Sequence, residues 1–250
     1  MPQTSIKAVM FDLGDTLLDF GKVNTTRLFY HGAQLSYAFL KSQKQPVPRV
    51  FFWYFIRNLA SLRWHHVLSN WTRRDFDSLD VLRALGERRG IRLPDSDWEE
   101  MVWLWYEGLG YAADVEPDLA GTMTRLKAQG LKLALLSNTF VHSSTLDRHL
   151  GELGLLDFLQ ERLYSYQFPF RKPDQRIFQA GAERLQEAPE HILYVGDRID
   201  NDIRPTLALG MHAALKRCYS NVGKRVPDGA WAIDRIADLP ALVERHNAGV

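Results

Sequence analysis

The feature that most constrains this chain is a short apolar run near its N terminus, residues 8–11, which ends at Asp12 and turns at Gly14. An apolar run of this length, bounded by turn residues, is typical of a buried strand. In open α/β sheets, ligands bind just beyond the carboxyl ends of the strands. The run therefore predicts that the carboxylate of Asp12 stands at a ligand site.

Three later segments repeat this arrangement, with an apolar run leading into polar or charged residues. They are 133–139 with Ser137 and Asn138, 170–174 with Lys172, and 192–197 with Asp197, followed by Asp200 and Asp202. A single segment of this kind carries little weight, because an Asp or Lys after a strand is common. The ordered set is a much more specific signal.

In this order, the segments resemble the four motifs of the haloacid dehalogenase-like (HAD) hydrolase superfamily. The resemblance covers roughly residues 6–19 and 116–215 and indicates a phosphatase-type member with a C1 cap. It implies an α/β fold, with a Rossmann-like parallel sheet as the core (the HAD fold) and an inserted all-helical cap domain.

The same resemblance implies a role for each motif residue. Asp12 would be the nucleophile that accepts a phosphoryl group, and Lys172 would offset the negative charge around it. Ser137, Asn138 and Lys172 would bind the phosphate of a small phosphorylated substrate.

The resemblance also implies Mg²⁺ as the cofactor. Its expected ligands are Asp12, a backbone carbonyl at Gly14, Asp197 and Asp202. The spacing in the family favours Asp202 over Asp200 as the second acid of the fourth motif, so Asp200 is expected to be solvated.

The chemistry of the residues leads to similar roles. A phosphate monoester is an anion, so a carboxylate nucleophile such as Asp12 needs nearby cations before it can approach the phosphorus. Lys172 can supply one cation. A divalent ion that prefers oxygen ligands can supply another, and carboxylates such as Asp12 and Asp197 are suitable ligands for it.

One position departs from the family pattern. Most phosphatases of the superfamily have a second aspartate two residues after the nucleophile, as general acid and base, and here that position is Gly14. Asp15 follows and is a candidate catalytic residue, although a shift of one residue redirects the side chain. The departure leaves open a phosphonatase or dehalogenase reaction, or a relative without catalysis that binds a phosphorylated ligand or a protein. Against a dehalogenase, the chain keeps Asp197, which displacement of halide without a metal would not require.

The composition indicates an ordinary globular chain that can bury a sizeable core. It has 250 residues, of which 46% are hydrophobic and 24% charged. A formal net charge of +1 gives no reason to expect nucleic acid as a partner. Cys218 is the only cysteine, which excludes an internal disulfide and a cysteine metal cluster and fits a reducing cytoplasm. With neither a signal peptide nor a membrane span in the sequence, we expect a cytoplasmic protein without a membrane partner.

The hydrophobic spacing divides the chain into two domains. Residues 1–20 and 115–250 are predicted to form the α/β core, in which strands alternate with helices from a helix at 119–129 to a strand-to-helix passage at 234–242. Residues 21–114 are predicted to form a helical cap that closes over the phosphate, with hinges at Gly21 and 113–117. The predicted cap helices cover 25–41, 51–64 and 72–89, and a fourth opens at a capping box of Ser96 and Glu99.

The predicted cap is rich in aromatic residues, including most of the seven tryptophans, with arginines among them. Aromatic faces and arginines can hold a flat or apolar leaving group that also carries an anion. One hypothesis is therefore a substrate with an apolar or planar part. The alternative is that these rings form the core of the cap and a dimer surface, which leaves open a monomer or a homodimer through the cap.

Overall fold

The core of the protein is a parallel β-sheet, seen here in a computed structural model that describes residues 4–249. Within those residues the sheet has six strands in the order β3-β2-β1-β4-β5-β6, and all neighbouring pairs are parallel. The strands are β1 (Ala8–Phe11), β2 (Lys132–Ser137), β3 (Glu161–Tyr164), β4 (Ile192–Gly196), β5 (His212–Lys216) and β6 (Ala230–Ile233). This architecture confirms the predicted α/β, Rossmann-like fold class.

Helices cover both faces of this sheet. In chain order the helices are α1 (Thr25–Ser42), α2 (Phe51–Thr72), α3 (Ser78–Glu87), α4 (Asp95–Gly110), α5 (Leu119–Ala128), α6 (Ser143–Glu152), α7 (Gln175–Leu185), α8 (Arg204–Ala208) and α9 (Leu239–Ala248). In β1, Val9 and Phe11 pack in one apolar cluster with α5, α6 and α9, whereas Met10 packs in another with α7. Successive side chains of a strand point to opposite faces, so a strand buried on both faces needs an unbroken apolar run.

The register of the sheet brings the motif residues to one edge. Phe11 lies opposite Leu135 of β2 on one side and Val195 of β4 on the other. Since all three strands run in the same direction, the residues that follow them leave the sheet at the same edge. Asp12 and Asp197 therefore emerge next to each other.

The helices between β1 and α5 differ from the prediction at two boundaries. The second predicted helix was expected to end near Trp64 and the third to begin at Thr72, but α2 continues to Thr72 and α3 begins at Ser78. No Pro or Gly interrupts the sequence from Trp64 to Thr72, so nothing stops the longer helix. It ends where Arg73 takes a left-handed conformation (φ 59°), and Asp77 then caps α3 by accepting the backbone N–H of Leu79.

The predicted capping box of Ser96 and Glu99 is also wrong. Helix α4 begins one residue earlier, at Asp95, and Pro94 occupies the N-cap position without a side-chain hydrogen bond. The last strand was predicted within the strand-to-helix passage at 234–242, but β6 ends at Ile233, before that passage begins. Helix α9 then begins at Leu239, within that predicted passage.

Two chain segments join the sheet to helices α1–α4, and they are bonded to each other. The backbone N–H of Asp19 donates to the carbonyl of Asp114 at 2.8 Å, and the N–H of Asp114 donates back to Asp19 at 2.7 Å. Gly21 follows with φ 53°, a conformation that favours glycine. The segment with helices α1–α4 thus leaves and rejoins the sheet at one place. The predicted domain bounds, and the hinges at Gly21 and 113–117, stay predictions.

The aromatic residues of α2 and α4 lie in different environments. Trp98, Trp103 and Trp105 of α4 are buried, which agrees with the packing alternative for these rings. Trp64 and Trp71 of α2 are 66% and 85% exposed. A homodimer through this surface stays a prediction. Among residues 4–249, no helix combines the length and the apolar character needed to cross a membrane.

A buried ion pair connects the α2–α3 loop to the sheet. The guanidinium Nη1 of Arg171, just before Lys172, lies 2.6 Å from Oδ1 of Asp75, and the two side chains are 15% and 5% exposed. Asp75 also accepts hydrogen bonds from the hydroxyls of Ser69 and Ser165. Because Ser165 follows β3 and Ser69 lies in α2, one carboxylate ties the helical segment to the core.

We expect Asp75→Ala to lower the free energy of unfolding by roughly 3–5 kcal/mol, because it leaves the Arg171 guanidinium buried without its partner. Urea denaturation measures this loss. Asp228→Ala is the matched control, since it breaks an ion pair with Arg225 whose side chains are 90% and 85% exposed. The control should change stability by less than about 0.5 kcal/mol. Equal losses in the two variants would contradict the role given to Asp75.

Candidate active site

The centre of the site is a buried ammonium group between two carboxylates. The Nζ atom of Lys172 lies 2.8 Å from Oδ1 of Asp12 and 2.7 Å from Oδ1 of Asp202. All three side chains are buried. Asp12 is fixed at the end of β1 because its backbone N–H donates to the carbonyl of Val195 at 2.8 Å.

Lys172 is not on a strand, and neighbouring side chains hold it in place. The side-chain amide of Asn138 donates to the carbonyl of Lys172 and accepts its backbone N–H, both at 2.9 Å. The Nζ atom also donates to the hydroxyl of Tyr194 at 2.9 Å. Asn138 therefore positions Lys172, and its predicted contact with phosphate stays a prediction.

The sequence reasoning missed Tyr194, which lies inside β4. Its hydroxyl contacts the carbonyl of Leu136 at 3.2 Å and Oδ1 of Asp202 at 3.4 Å, in addition to Lys172. A signal was present in the sequence, because a tyrosine in a strand buried on both faces needs partners for its hydroxyl.

The loop after β5 holds Asp197. The hydroxyl of Ser220 donates to Oδ2 of Asp197 at 2.9 Å, and the side chain of Asn221 donates to its backbone carbonyl at 2.9 Å. Asp202 in turn accepts the backbone N–H of Arg198 at 2.8 Å. Ser220 and Asn221 were also missed, since no pattern links this loop to the earlier motifs.

Asp12, Asp197 and Asp202 form a cluster that could hold a metal ion. Oxygen atoms of the three carboxylates lie within 4.8 Å of one another. Lys172 is the only cation bonded to the cluster among residues 4–249, so the ionised carboxylates would leave two negative charges uncompensated. A hard divalent cation prefers oxygen ligands and carries that charge, so the donor set fits such an ion.

The pKa values reflect this excess of negative charge. Burial, reinforced by the charges of Asp202 and Asp197, raises the pKa of Asp12 to about 7, although Lys172 opposes the rise. Burial and the charge of Asp202 raise the pKa of Asp197 to about 6. Burial alone would lower the pKa of Lys172, but Asp12 and Asp202 outweigh it and raise that pKa.

A cavity of about 250 Å³ opens beside the cluster, and Leu13, Gly14, Ser137 and Asn138 line it. Ser137 is buried at the end of β2, and no residue in the described range 4–249 forms a hydrogen bond with its hydroxyl. A hydroxyl without a protein partner at a cavity wall is available to a ligand. The structure thus brings Ser137 to the same edge as Asp12.

Asp15 is held away from that cavity. Its backbone is left-handed (φ 55°), and its Oδ1 accepts the N–H of Phe20 at 3.2 Å. Burial raises the pKa of Asp15, and the hydrogen bond from the backbone N–H of Phe20 opposes the rise. The catalytic role of Asp15 and the metal contact of the Gly14 carbonyl stay predictions. Asp200 is exposed and pairs with Arg204 at 2.7 Å, as expected for a solvated residue.

The fold and the site together define a class of protein, an α/β protein with a buried lysine and a carboxylate cluster at the carboxyl edge of a parallel sheet. The model of the haloacid dehalogenase-like hydrolase family matches residues 6–210. The chain belongs to this family, which confirms the resemblance found in the sequence.

Curated relatives match about half of the chain. A glyceraldehyde 3-phosphate phosphatase of Methanocaldococcus jannaschii is 35% identical over 128 residues, which are 51% of this chain and 54% of the relative. A phosphoglycolate phosphatase of Aquifex aeolicus is 30% identical over 131 residues, or 52% and 59% of the two chains. The chain spans about half the length of the curated relatives it matches.

Solved structures align with nearly the whole chain, whereas the curated relatives align with about half of it. The crystal structure of a HAD phosphatase from Thermococcus onnurineus superposes with a TM-score of 0.58 and 22% identity, over 95% of this chain and 98% of that one. At this identity, the likeness supports the fold alone. The function has to be argued from the site.

Proposed function

We propose that this protein is a Mg²⁺-dependent phosphatase that acts on a small phosphorylated metabolite through an aspartyl-phosphate on Asp12. The observation that carries the proposal is the Lys172 ammonium, 2.8 Å from Asp12 and 2.7 Å from Asp202. A carboxylate attacks a phosphate anion only where fixed positive charge compensates both. The phosphatases among the relatives support the reaction class and a small substrate.

The reaction has two displacements at phosphorus. In the first, an Oδ atom of Asp12 forms a bond to phosphorus while the bond to the leaving oxygen breaks, and the leaving oxygen takes up a proton from water. In the second, water attacks the same phosphorus, the bond to Asp12 breaks and inorganic phosphate departs. Lys172 stays beside the nucleophile in both steps, and the Ser137 hydroxyl donates to a phosphoryl oxygen.

The metal ion would be held by Asp12, Asp197 and Asp202, the three carboxylates that lie within 4.8 Å of one another. When bound, Mg²⁺ supplies positive charge that draws the phosphate toward the nucleophile and stabilises the charge in the transition state. Ser220 and Asn221 orient Asp197 for that role.

We expect Asp12→Asn to lower phosphate release by about 10³-fold or more, because an amide has nearly the shape of the carboxylate but is a poor nucleophile. The measurement is release of phosphate from a panel of phosphorylated metabolites with Mg²⁺, with a chelator as the metal-free arm. Asp200→Asn is the control, since Asp200 is exposed and bonded to Arg204, and it should keep wild-type activity. An active Asp12→Asn variant would contradict the covalent mechanism.

A second candidate function is binding without turnover, and the glycine at position 14 favours it. General acid and base catalysis contributes about 10²- to 10⁴-fold in rate, and this position provides no acid. If the protein binds its ligand without turnover, the panel of phosphorylated metabolites should raise its Tm, and no phosphate should be released. If the protein is a phosphonatase or a dehalogenase, turnover should occur only with a substrate that contains a C–P or a C–halogen bond.

We expect Gly14→Asp to speed hydrolysis of alkyl phosphates by about tenfold or more, within the range for an added general acid. The backbone permits the change, because a Cβ at Gly14 would meet the Phe20 ring at 3.8 Å, an ordinary contact. Aryl phosphates, which need little protonation of the leaving group, should gain less. The measurement is kcat/KM for a matched alkyl and aryl pair.

Asp15→Asn completes this comparison. No gain in Gly14→Asp, together with a large loss in Asp15→Asn, would mean that Asp15 already transfers the proton from its position near Phe20.

A further inference from the structure

We propose that the cavity beside Ser137 selects phosphate monoesters whose leaving group is uncharged and mainly apolar. The inference rests on the proposed phosphatase function and names the substrate class for that site. The cavity of about 250 Å³ lies between the sheet edge and the helical segment. Its apolar side chains come from both parts of the chain: Phe20, Tyr106, Leu109, Phe140, Val141 and Leu146.

The cavity reaches the residues next to the nucleophile, because Leu13 and Gly14, which follow Asp12, line it. Gly14 and Ser137 line it together with those apolar side chains. A phosphoryl group at Asp12 that accepts the free Ser137 hydroxyl would therefore direct its ester substituent into this space. The occupant is the leaving group of the substrate, because no other part of a monoester extends from the phosphorus.

Apart from Ser137, which is assigned to the phosphoryl group, the charged and polar side chains of the cavity wall have protein partners. Arg171 donates to Asp75 at 2.6 Å and to Ser69 at 2.9 Å. His66 and Asn70 lie 3.3 Å apart through Nε2 and Nδ2. These contacts compete with the binding of sugar hydroxyls or a second anion by the same groups.

The remaining polar side chains on the wall are engaged as well. The hydroxyl of Tyr106 bonds to Nδ1 of His149 at 2.9 Å, and Oγ1 of Thr139 accepts the N–H of Val141 at 3.0 Å. The side-chain amide of Asn138 is hydrogen-bonded to the backbone of Lys172. A hydrophilic leaving group would lose water in this cavity without regaining its hydrogen bonds, which disfavours it.

The exposed tryptophans are not part of this recognition. Trp53, Trp64 and Trp71 of α2 do not line the cavity. An apolar part of the substrate would therefore contact the apolar side chains that line the cavity, and not the exposed tryptophans of α2. Behind Tyr106 and Phe140 lies a smaller apolar cavity of about 30 Å³, which Trp105 lines, so the apolar character continues into the helical segment.

The test is kcat/KM for n-alkyl phosphates from methyl to butyl phosphate, with glycerol phosphate as the polar reference. The leaving groups of this series differ little in reactivity. The increase of kcat/KM with chain length therefore measures the burial of the added methylene groups. We expect kcat/KM to rise about fourfold for each added methylene, which corresponds to about 0.8 kcal/mol per buried CH₂. Butyl phosphate should then exceed glycerol phosphate by at least tenfold.

Two leucines of α4 provide a matched pair of variants. Leu109→Gln places an amide in the cavity wall and should reduce the ratio of butyl to methyl phosphate by about tenfold. Leu104→Gln is the control, because Leu104 is equally half-buried but does not line the cavity, and the ratio should stay at the wild-type value. A ratio that falls equally in both variants would overturn the assignment of this cavity.

A binding measurement separates this inference from the proposed function. n-Alkylphosphonates, whose C–P bond resists hydrolysis, should raise Tm more as the chain lengthens from methyl to butyl. Phosphate release with a flat or falling slope in both series would overturn the inference and leave the phosphatase standing. No release from any ester, with a Tm shift that grows with chain length, would overturn the phosphatase and leave the apolar cavity standing.

Discussion

The rest of the site depends on the ammonium group of Lys172, buried between Asp12 and Asp202. Removing a charged group from water costs several kcal/mol, and only close partners of opposite charge offset that cost. The two carboxylates offset it for Lys172, while the third carboxylate leaves the cluster with excess negative charge. A divalent cation is therefore complementary to this edge of the sheet, since it would compensate the excess negative charge.

Parallel strand pairing and one loop contact bring these groups together. Parallel pairing of β1 with β2 and β4 delivers Asp12, Ser137 and Asp197 to one edge. Lys172 arrives from a loop, and the amide of Asn138 binds that loop to the end of β2. One residue earlier in the same loop, Arg171 bonds to Asp75 and so links the reacting edge to the helices that cover it. The contact of Lys172 with Asp12 and the link of the sheet to the helical segment thus involve adjacent residues.

The parallel α/β core was predicted from the sequence, because buried strands leave unbroken apolar runs. The grouping of Asp12, Lys172 and Asp202 was predicted from the resemblance of the ordered motifs to the family. The end of α2 was predicted wrongly, because the apolar residues of its last turns, such as Trp64, Val67 and Trp71, are exposed and do not follow the hydrophobic spacing of a packed helix. Ser220 and Asn221 could not be found either, because their contact with Asp197 spans more than 20 residues. Tyr194 was within reach, as a buried hydroxyl requires partners.

The central claim is that Asp12 carries the phosphoryl group. The most direct measurement is a single turnover with a ³²P-labelled alkyl phosphate and Mg²⁺, quenched in acid and followed by peptide mapping. The account predicts label on the peptide that contains Asp12, sensitive to hydroxylamine as an acyl phosphate is, and no label in Asp12→Asn. Release of labelled phosphate without a labelled peptide at any quench time, or label on the peptide of the variant, would contradict it.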